Sequence, residues 1–439
     1  MISVIHKDEN IQDDNNEQSE QSVQDKQSTS RKLVTNTAWN TIGVLAYFAC
    51  QWLITVIVVR LYGDYTNAGY LALAMNITNV FTTLATYNIR VFQVSDIKRE
   101  YTDSVYVTAR ILTCVIAVLL CAAFVIIDDL TATQRIIIIC YMVFRANEAF
   151  IDVLHGIDQK NWRMDYVGIS FITRGIAMLS AFTLLGWLFG LLPAVIGMAV
   201  ITTVIGVVYD ISKTKKLVSF KINADKKIFS LLKQCFPLML VILFATLIIS
   251  FSRYSIERIH GTEDLGAYAS VTVPTIIVQL AAGALLVLPA NLFAESLKEG
   301  KKEKYIRTFA ISSIAIVGIT IVFLIGSHYL GHWGLNLLFG ESILPYAYLL
   351  PGAALVAGLT AFMWFMNVAF AAVRDIKGLL AGNLIGVVIC FALTNVFLIN
   401  QGLAGANNIM ILSQGVAVLC LFFRLIWFIK NKPELFSNR

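Results

Sequence analysis

Three observations predict an all-α polytopic membrane protein of about twelve transmembrane helices. Hydrophobic residues make up 57% of the chain and charged residues only 14%, whereas a soluble domain carries roughly a quarter charged residues. Apolar runs recur along the chain, each long enough, at about 1.5 Å per residue, to cross a hydrocarbon core about 30 Å thick. The chain also repeats itself: Arg60-Leu61-Tyr62-Gly63 and Tyr70 align with Arg258-Ile259-His260-Gly261 and Tyr268, all at an offset of 198. Six spans per half is an even number, so both halves enter from the same side. The repeat is therefore parallel, about an axis along the membrane normal, with a substrate site expected between the two six-helix lobes near mid-depth.

In order, residues 1–30 are rich in Gln, Asn, Asp, Glu and Ser and read as a disordered cytoplasmic tail with no apolar signal-peptide core. The first lobe, 31–211, opens at the basic anchor Arg31-Lys32, with spans at 34–60, 67–92, 103–127, 134–156, 164–188 and 191–211. A linker at 212–230 carries Lys213, Lys215, Lys216, Lys221, Lys226 and Lys227. The second lobe, 231–430, has spans at 232–257, 265–293, 304–327, 342–372, 378–399 and 403–429, and 431–439 is a second cytoplasmic tail. Pro274, Gly283 and Pro289 predict kinks or a local break in the eighth span. Ser327 to Glu341 reads as an apolar loop, with His328 and His332 beside Trp333 at the interface rather than on a metal. Lysine and arginine crowd the segments on the side of the termini, so both termini are expected in the cytoplasm.

The net charge of +6 is modest, and the basic residues sit beside spans, which argues against a nucleic-acid surface. All seven cysteines lie in apolar runs without CxxC or Cys/His spacing, so neither a disulfide frame nor a metal site is expected.

Polar residues recur inside the spans at steps of three and four, which stacks them along helix faces. The fourth span carries Tyr141, Arg145, Glu148, Asp152 and His155; the second Asn76, Asn79, Thr83, Thr86 and Arg90. The third carries Asp103, Tyr106, Arg110 and Thr113, the fifth Arg163, Tyr166, Ser170 and Arg174, and the seventh Thr246, Ser250, Arg253 and Glu257. The first has Asn36, Asn40, Tyr47, Gln51 and Thr55. Charges at membrane depth face one another or a wet cavity. Arg90, Arg110, Arg145, Arg174 and Arg253 outnumber Glu148 and Asp152, which predicts a cationic cavity suited to an anionic, above all phosphorylated, cargo. Asn40, Gln51, Asn76, Asn79 and Tyr141 are its expected polar lining, and amides and aromatics there suit sugar rings.

The two six-span halves, the run from Asn36 and Asn40 through Arg60-Leu61-Tyr62-Gly63 to Tyr70, and the seventh-span run Arg253-Tyr254-Ser255-Ile256-Glu257-Arg258 with Gly261 and Gly266-Ala267-Tyr268 resemble the Wzx-type polysaccharide flippases. These belong to the multidrug/oligosaccharidyl-lipid/polysaccharide (MOP) exporter superfamily. The resemblance covers nearly the whole chain after the tail. It implies a V-shaped two-lobe transporter in the bacterial cytoplasmic membrane. Such a protein moves undecaprenyl-pyrophosphate-linked oligosaccharide between leaflets by alternating access, for capsule, exopolysaccharide or O-antigen. The family's cationic lumen maps onto Arg90, Arg110, Arg145, Arg174 and Arg253. No cofactor is implied; coupling to a proton or sodium gradient is, with Glu148 and Asp152 as the candidates. Membrane lipids, a polysaccharide polymerase and chain-length machinery are the implied partners.

Two other readings fit less well. A multidrug or organic-cation exporter calls for an acidic or aromatic lumen, and this one is arginine-rich. A membrane glycosyltransferase or polymerase would find a catalytic acid pair only in Asp128-Asp129, which sits in a loop of a few residues. No Gly-rich phosphate loop supports ATP-driven pumping.

Overall fold

In a computed structural model, residues 36, 38–96, 98–223 and 225–431 are described; the expected tail 1–30, and all but the first residue of the expected tail 431–439, lie outside them. The described residues are helical, with no strand among them. The first lobe comprises α1 (Ala38–Tyr62), α2 (Thr66–Thr86), α3 (Ile89–Ser95), α4 (Asp103–Ile127), α5 (Ala132–Lys160), α6 (Met164–Phe189) and α7 (Leu191–Leu217). The second comprises α8 (Lys227–His260), α9 (Thr262–Lys298), α10 (Lys302–Phe339), α11 (Glu341–Val373), α12 (Ile376–Gln401) and α13 (Leu403–Asn431). With α2 and α3 forming one span, twelve spans result. Ten described helices are long and apolar enough to cross a membrane; α2 and α5, the two outside that set, carry the polar stripes.

The span boundaries follow the hydrophobic pattern except in four places. Tyr87 and Asn88 both take left-handed backbone (φ 47° and 55°), ending α2 and redirecting α3. Neither is glycine, so the break is strained. It takes Arg90 off the α2 stripe and onto a separate helix. At the end of α7, Gly206–Ile211 is a π-turn, an extra residue that re-aims Asp210. Residues 212–217 of the expected linker continue α7 as helix, and only the segment after it is extended, where the Lys221 N–H donates to Ser104 Oγ at 3.1 Å. The expected loop from Ser327 is instead helix to Phe339, because an apolar run with Gly but no Pro has nothing to stop it.

Prolines act where the sequence placed them. α9 passes through a 3-10 turn at Val273–Thr275 containing Pro274, and is interrupted again at Leu286, three residues before Pro289.

The repeat is visible in three dimensions. Gly63 and Gly261 end α1 and α8 with positive φ (69° and 95°), a backbone that glycine alone takes without strain. Just beyond, α2 and the start of α9 cross at backbone contact. A Cβ on Gly69 would lie 1.9 Å from the Thr262 carbonyl oxygen, and one on Gly266 would lie 1.9 Å from that of Tyr65. The matched arginines then reach the opposite lobe. Arg60 donates to the carbonyls of Asn336, Leu337 and Leu338 at the end of α10 (2.7–3.3 Å). Arg258 pairs with the Asp128 carboxylate and donates to the Asp129 carbonyl (2.6 Å), just past the end of α4. Each arginine therefore caps the third span of the other lobe, where helix carbonyls favour a cation.

Candidate functional site

A cavity of about 310 Å³ lies between the lobes. Its walls come from α1 (Gln51, Trp52, Thr55), α2 (Asn76, Asn79), α8 (Arg253), α9 (Tyr268, Ser270, Thr272, Thr275, Gln279) and α11 (Thr360), with aliphatic residues between them. Arg253 is the only charged side chain in that wall among the described residues. Its guanidinium donates to Thr272 Oγ1 at 3.5 Å and lies 6.0 Å from the Tyr268 ring centre. Its Nε is buried with no hydrogen-bond partner, and no carboxylate lies within 4 Å of it among the described residues. Tyr268 is fixed in turn by donating to Asn407 Oδ1 at 2.6 Å.

Of the residues expected from the sequence, Gln51, Asn76, Asn79 and Arg253 come together in this wall. Asn40 is half-buried on α1, and Tyr141 is buried against Phe144; neither is in the wall. Arg90, Arg110, Arg145, Arg174, Glu148 and Asp152 are not in the wall either; they pair with one another and with neighbouring helices of the first lobe.

There α5 is the spine. From Arg145 to His155, each step of its polar stripe meets different neighbouring helices. Arg145 donates to Thr82 Oγ1 (3.3 Å) and Asn79 Oδ1 (3.4 Å) on α2, and to Glu148 Oε2 (2.6 Å). Glu148 Oε1 accepts from the Tyr47 hydroxyl on α1 and from Gln51 Nε2 at 3.5 Å. Asp152 gives one oxygen to Arg90 on α3 (2.9 Å) and the other to Arg110 on α4 (3.0 Å). Arg110 is 0% exposed and also donates to the Ala85 carbonyl at 3.1 Å, so its charge is held by one shared acid and the last turn of α2. His155 meets Ser170 on α6 and Asp210 on α7, each at 3.2 Å. Arg174, 2% exposed, donates to Ser170 Oγ at 3.1 Å and lies 5.3 Å from the ring centres of Tyr47 and Phe171.

The periodicity that located these arginines did not reveal two of the acids among them. Asp158 is buried and accepts from Thr214 Oγ1 at 3.0 Å; Asp210 is 2% exposed. Both fall near helix ends, where a carboxylate reads as interfacial. The available signal was that Asp158 lies three residues beyond His155, on the same face of α5. Thr272, Thr275 and Gln279 were legible too, as a stripe of steps three and four.

The residues 33–288, more than half of the chain, match the family model described as polysaccharide biosynthesis protein. No curated protein matches the chain in sequence. Among solved structures, an inward-facing multidrug resistance MATE family transporter of the MOP superfamily is similar, with TM-score 0.65 and 13% identity, over 89% of this chain and 98% of that one. The lipid II flippase MurJ in an inward closed conformation gives TM-score 0.64 and 15% identity, over 88% and 87%. A MOP superfamily transporter from Pyrococcus furiosus, described as having a binding pocket of reverse polarity, gives 0.60 and 14%, over 92% and 96%. At these identities the likeness establishes a fold shared with MOP-superfamily transporters, and the family match adds membership: the chain belongs to the polysaccharide biosynthesis protein family.

Proposed function

We propose that the protein carries undecaprenyl-pyrophosphate-linked oligosaccharide repeat units across the bacterial cytoplasmic membrane. What supports this reading is Arg253, a lone cation without an acid partner in the wall of the inter-lobe cavity. A guanidinium fork engages phosphate oxygens in pairs, and in a site of low dielectric it favours an anionic cargo over a cationic one. The amides of Gln51, Asn76, Asn79 and Gln279 supply donors and acceptors for sugar hydroxyls. A volume of about 310 Å³ is at the small end of ligand pockets. It takes a phosphorylated head group, while the prenyl chain stays in lipid.

Arg145 and Glu148 back this wall through Asn79 and Gln51, so they orient the amides; Arg90, Arg110, Arg174 and Asp152 hold the helices that carry them. Arg60 and Arg258 join the lobes at one end, so entry is proposed from the opposite, lysine- and arginine-rich side, expected to be cytoplasmic.

The test is cellular. With Arg253→Ala at normal protein level, lipid-linked repeat units accumulate and surface polysaccharide falls about 10- to 100-fold, since a charge-assisted hydrogen bond is worth roughly 1.5–3 kcal/mol. Arg253→Lys retains part of the export. Wild-type export by the Ala variant contradicts the assignment.

A further inference from the structure

We propose that His155 and Asp210 form a proton-binding centre in the first lobe, set apart from the cavity and wired to it through Arg174. The pair is sealed, with His155 1% and Asp210 2% exposed. His155 Nε2 lies 3.2 Å from two different oxygens, Ser170 Oγ and Asp210 Oδ1. One nitrogen cannot satisfy both in the same way. Bearing a proton, Nε2 donates to the carboxylate; without it, the Nε2 lone pair accepts from the serine hydroxyl and faces a carboxylate oxygen with nothing between them. The geometry thus offers two arrangements that differ in whether Nε2 carries a proton. Asp210 Oδ2 is buried with no donor at all, on a π-turn that departs from regular helix to place it there.

The two other acids of the α5 stripe, Asp152 and Glu148, are already engaged. Both oxygens of Asp152 hold arginines, and those of Glu148 hold Arg145 and Tyr47. The charged groups facing the pair are Arg174 from α6, Arg90 from α3, Asp152 and Asp158 from α5 itself, and Tyr209 beside Asp210 on α7. Loading places an imidazolium (Nδ1–H and Nε2–H) against the Asp210 carboxylate; unloading returns the Nε2 proton to water and leaves the neutral Nδ1–H imidazole. Ser170 relays the change, because its hydroxyl is free to donate to Nε2 only in the unloaded state, while it accepts from Arg174 Nε throughout. Arg174 lies over Tyr47, Tyr47 donates to Glu148, and Glu148 accepts from Gln51 in the cavity wall. A proton at His155 is therefore felt five side chains away, at Gln51 of the proposed head-group site.

The use of this proton in transport rests on the function proposed above; its binding does not, and is measured without substrate. Purified full-length protein with ring-labelled histidine, in lipid nanodiscs, is compared by infrared difference spectroscopy between about pH 8 and about pH 5. Above the signal of the four other histidines, the wild type is expected to show an imidazole-to-imidazolium component worth one ring that His155→Gln removes and Asp210→Asn also removes, since the imidazolium then has no counter-ion. Glu299→Gln, at an exposed turn of the second lobe, keeps it. Should either single variant fail to fold, the double variant His155→Gln/Asp210→Asn replaces the pair by two amides able to hydrogen-bond each other. A folded double variant whose difference spectrum equals that of the wild type overturns the proposal, as does a wild-type spectrum that does not change with pH. If instead the cargo assignment is at fault, this band stays and only the Arg253 phenotype disappears.

Discussion

The two lobes come from one repeat and are held together in opposite ways. The first is built on charge: α5 presents Arg145, Glu148, Asp152 and His155 to four sets of neighbours, and each finds a partner there. The second is built on shape. Its core is Phe293, Tyr305, Phe365, Met366 and Phe370, with isolated amides such as Gln414 on Thr360 (3.1 Å) and Asn383 on the Leu379 carbonyl (2.8 Å). Charged partners meet in one register only, whereas apolar surfaces slide with little penalty. The helix broken by prolines, α9, is also in the second lobe. The comparison assigns rigidity to the first lobe and compliance to the second, with the cavity at their seam.

The largest effect should come from breaking the ladder. Asp152→Ala strands the buried Arg110 and costs roughly 3–5 kcal/mol; Gln414→Ala loses one neutral contact, about 0.5–1.5 kcal/mol. Thermal unfolding in detergent compares them, and equal losses would erase the distinction between the lobes.

Next come the paired latches. Arg258 grips a carboxylate and a carbonyl, Arg60 carbonyls alone. Arg258→Ala should raise external access to the cavity by about tenfold and Arg60→Ala by about threefold, the first losing an ion pair and the second a helix-end interaction. Labelling of a cysteine introduced at Thr272 by an impermeant thiol reagent reads this; the reverse order would mean that the repeat's two latches are not read correctly.

The smallest contrast lies in the matched basic turns. Burial pushes the Asp96 carboxyl up, but the N–H groups of Glu100 and Tyr101 and the Tyr106 hydroxyl (2.9–3.1 Å) outweigh it and hold it below the usual carboxylate range. A depressed folded-state pKa contributes stability above the unfolded value near 3.9, lost as pH falls through the folded value. The Asp96→Asn variant should therefore be slightly less stable than wild type at neutral pH, with the gap closing in strong acid. Glu299 in the second lobe is also held low by Lys301 and Lys304, but solvent screens these surface pairs, so Glu299→Gln should show a smaller gap. A gap of equal size at both turns would count against the contrast.

Much of this fold was legible because hydrophobic run length and the Arg60/Arg258 repeat are local signals. Helix faces were legible too, which is why Gln51, Asn76, Asn79 and Arg253 fall together as expected. Periodicity gives a face but not the neighbour it meets, so nothing local showed that Arg110 and Arg90 share Asp152. The left-handed pair Tyr87–Asn88 and the π-turn carrying Asp210 were hidden for the same reason. Both are local backbone distortions; only Asn88 is a residue type that favours the left-handed region, and it sits inside an apolar span.

The central claim is that the seam between a charged frame and a compliant lobe binds a phosphorylated lipid head through Arg253. Its most direct test is the affinity of purified protein in nanodiscs for undecaprenyl pyrophosphate, wild type against Arg253→Ala. A loss of about 10- to 100-fold is expected, as one charge-assisted contact to phosphate disappears. Equal affinity of the two proteins would contradict the account.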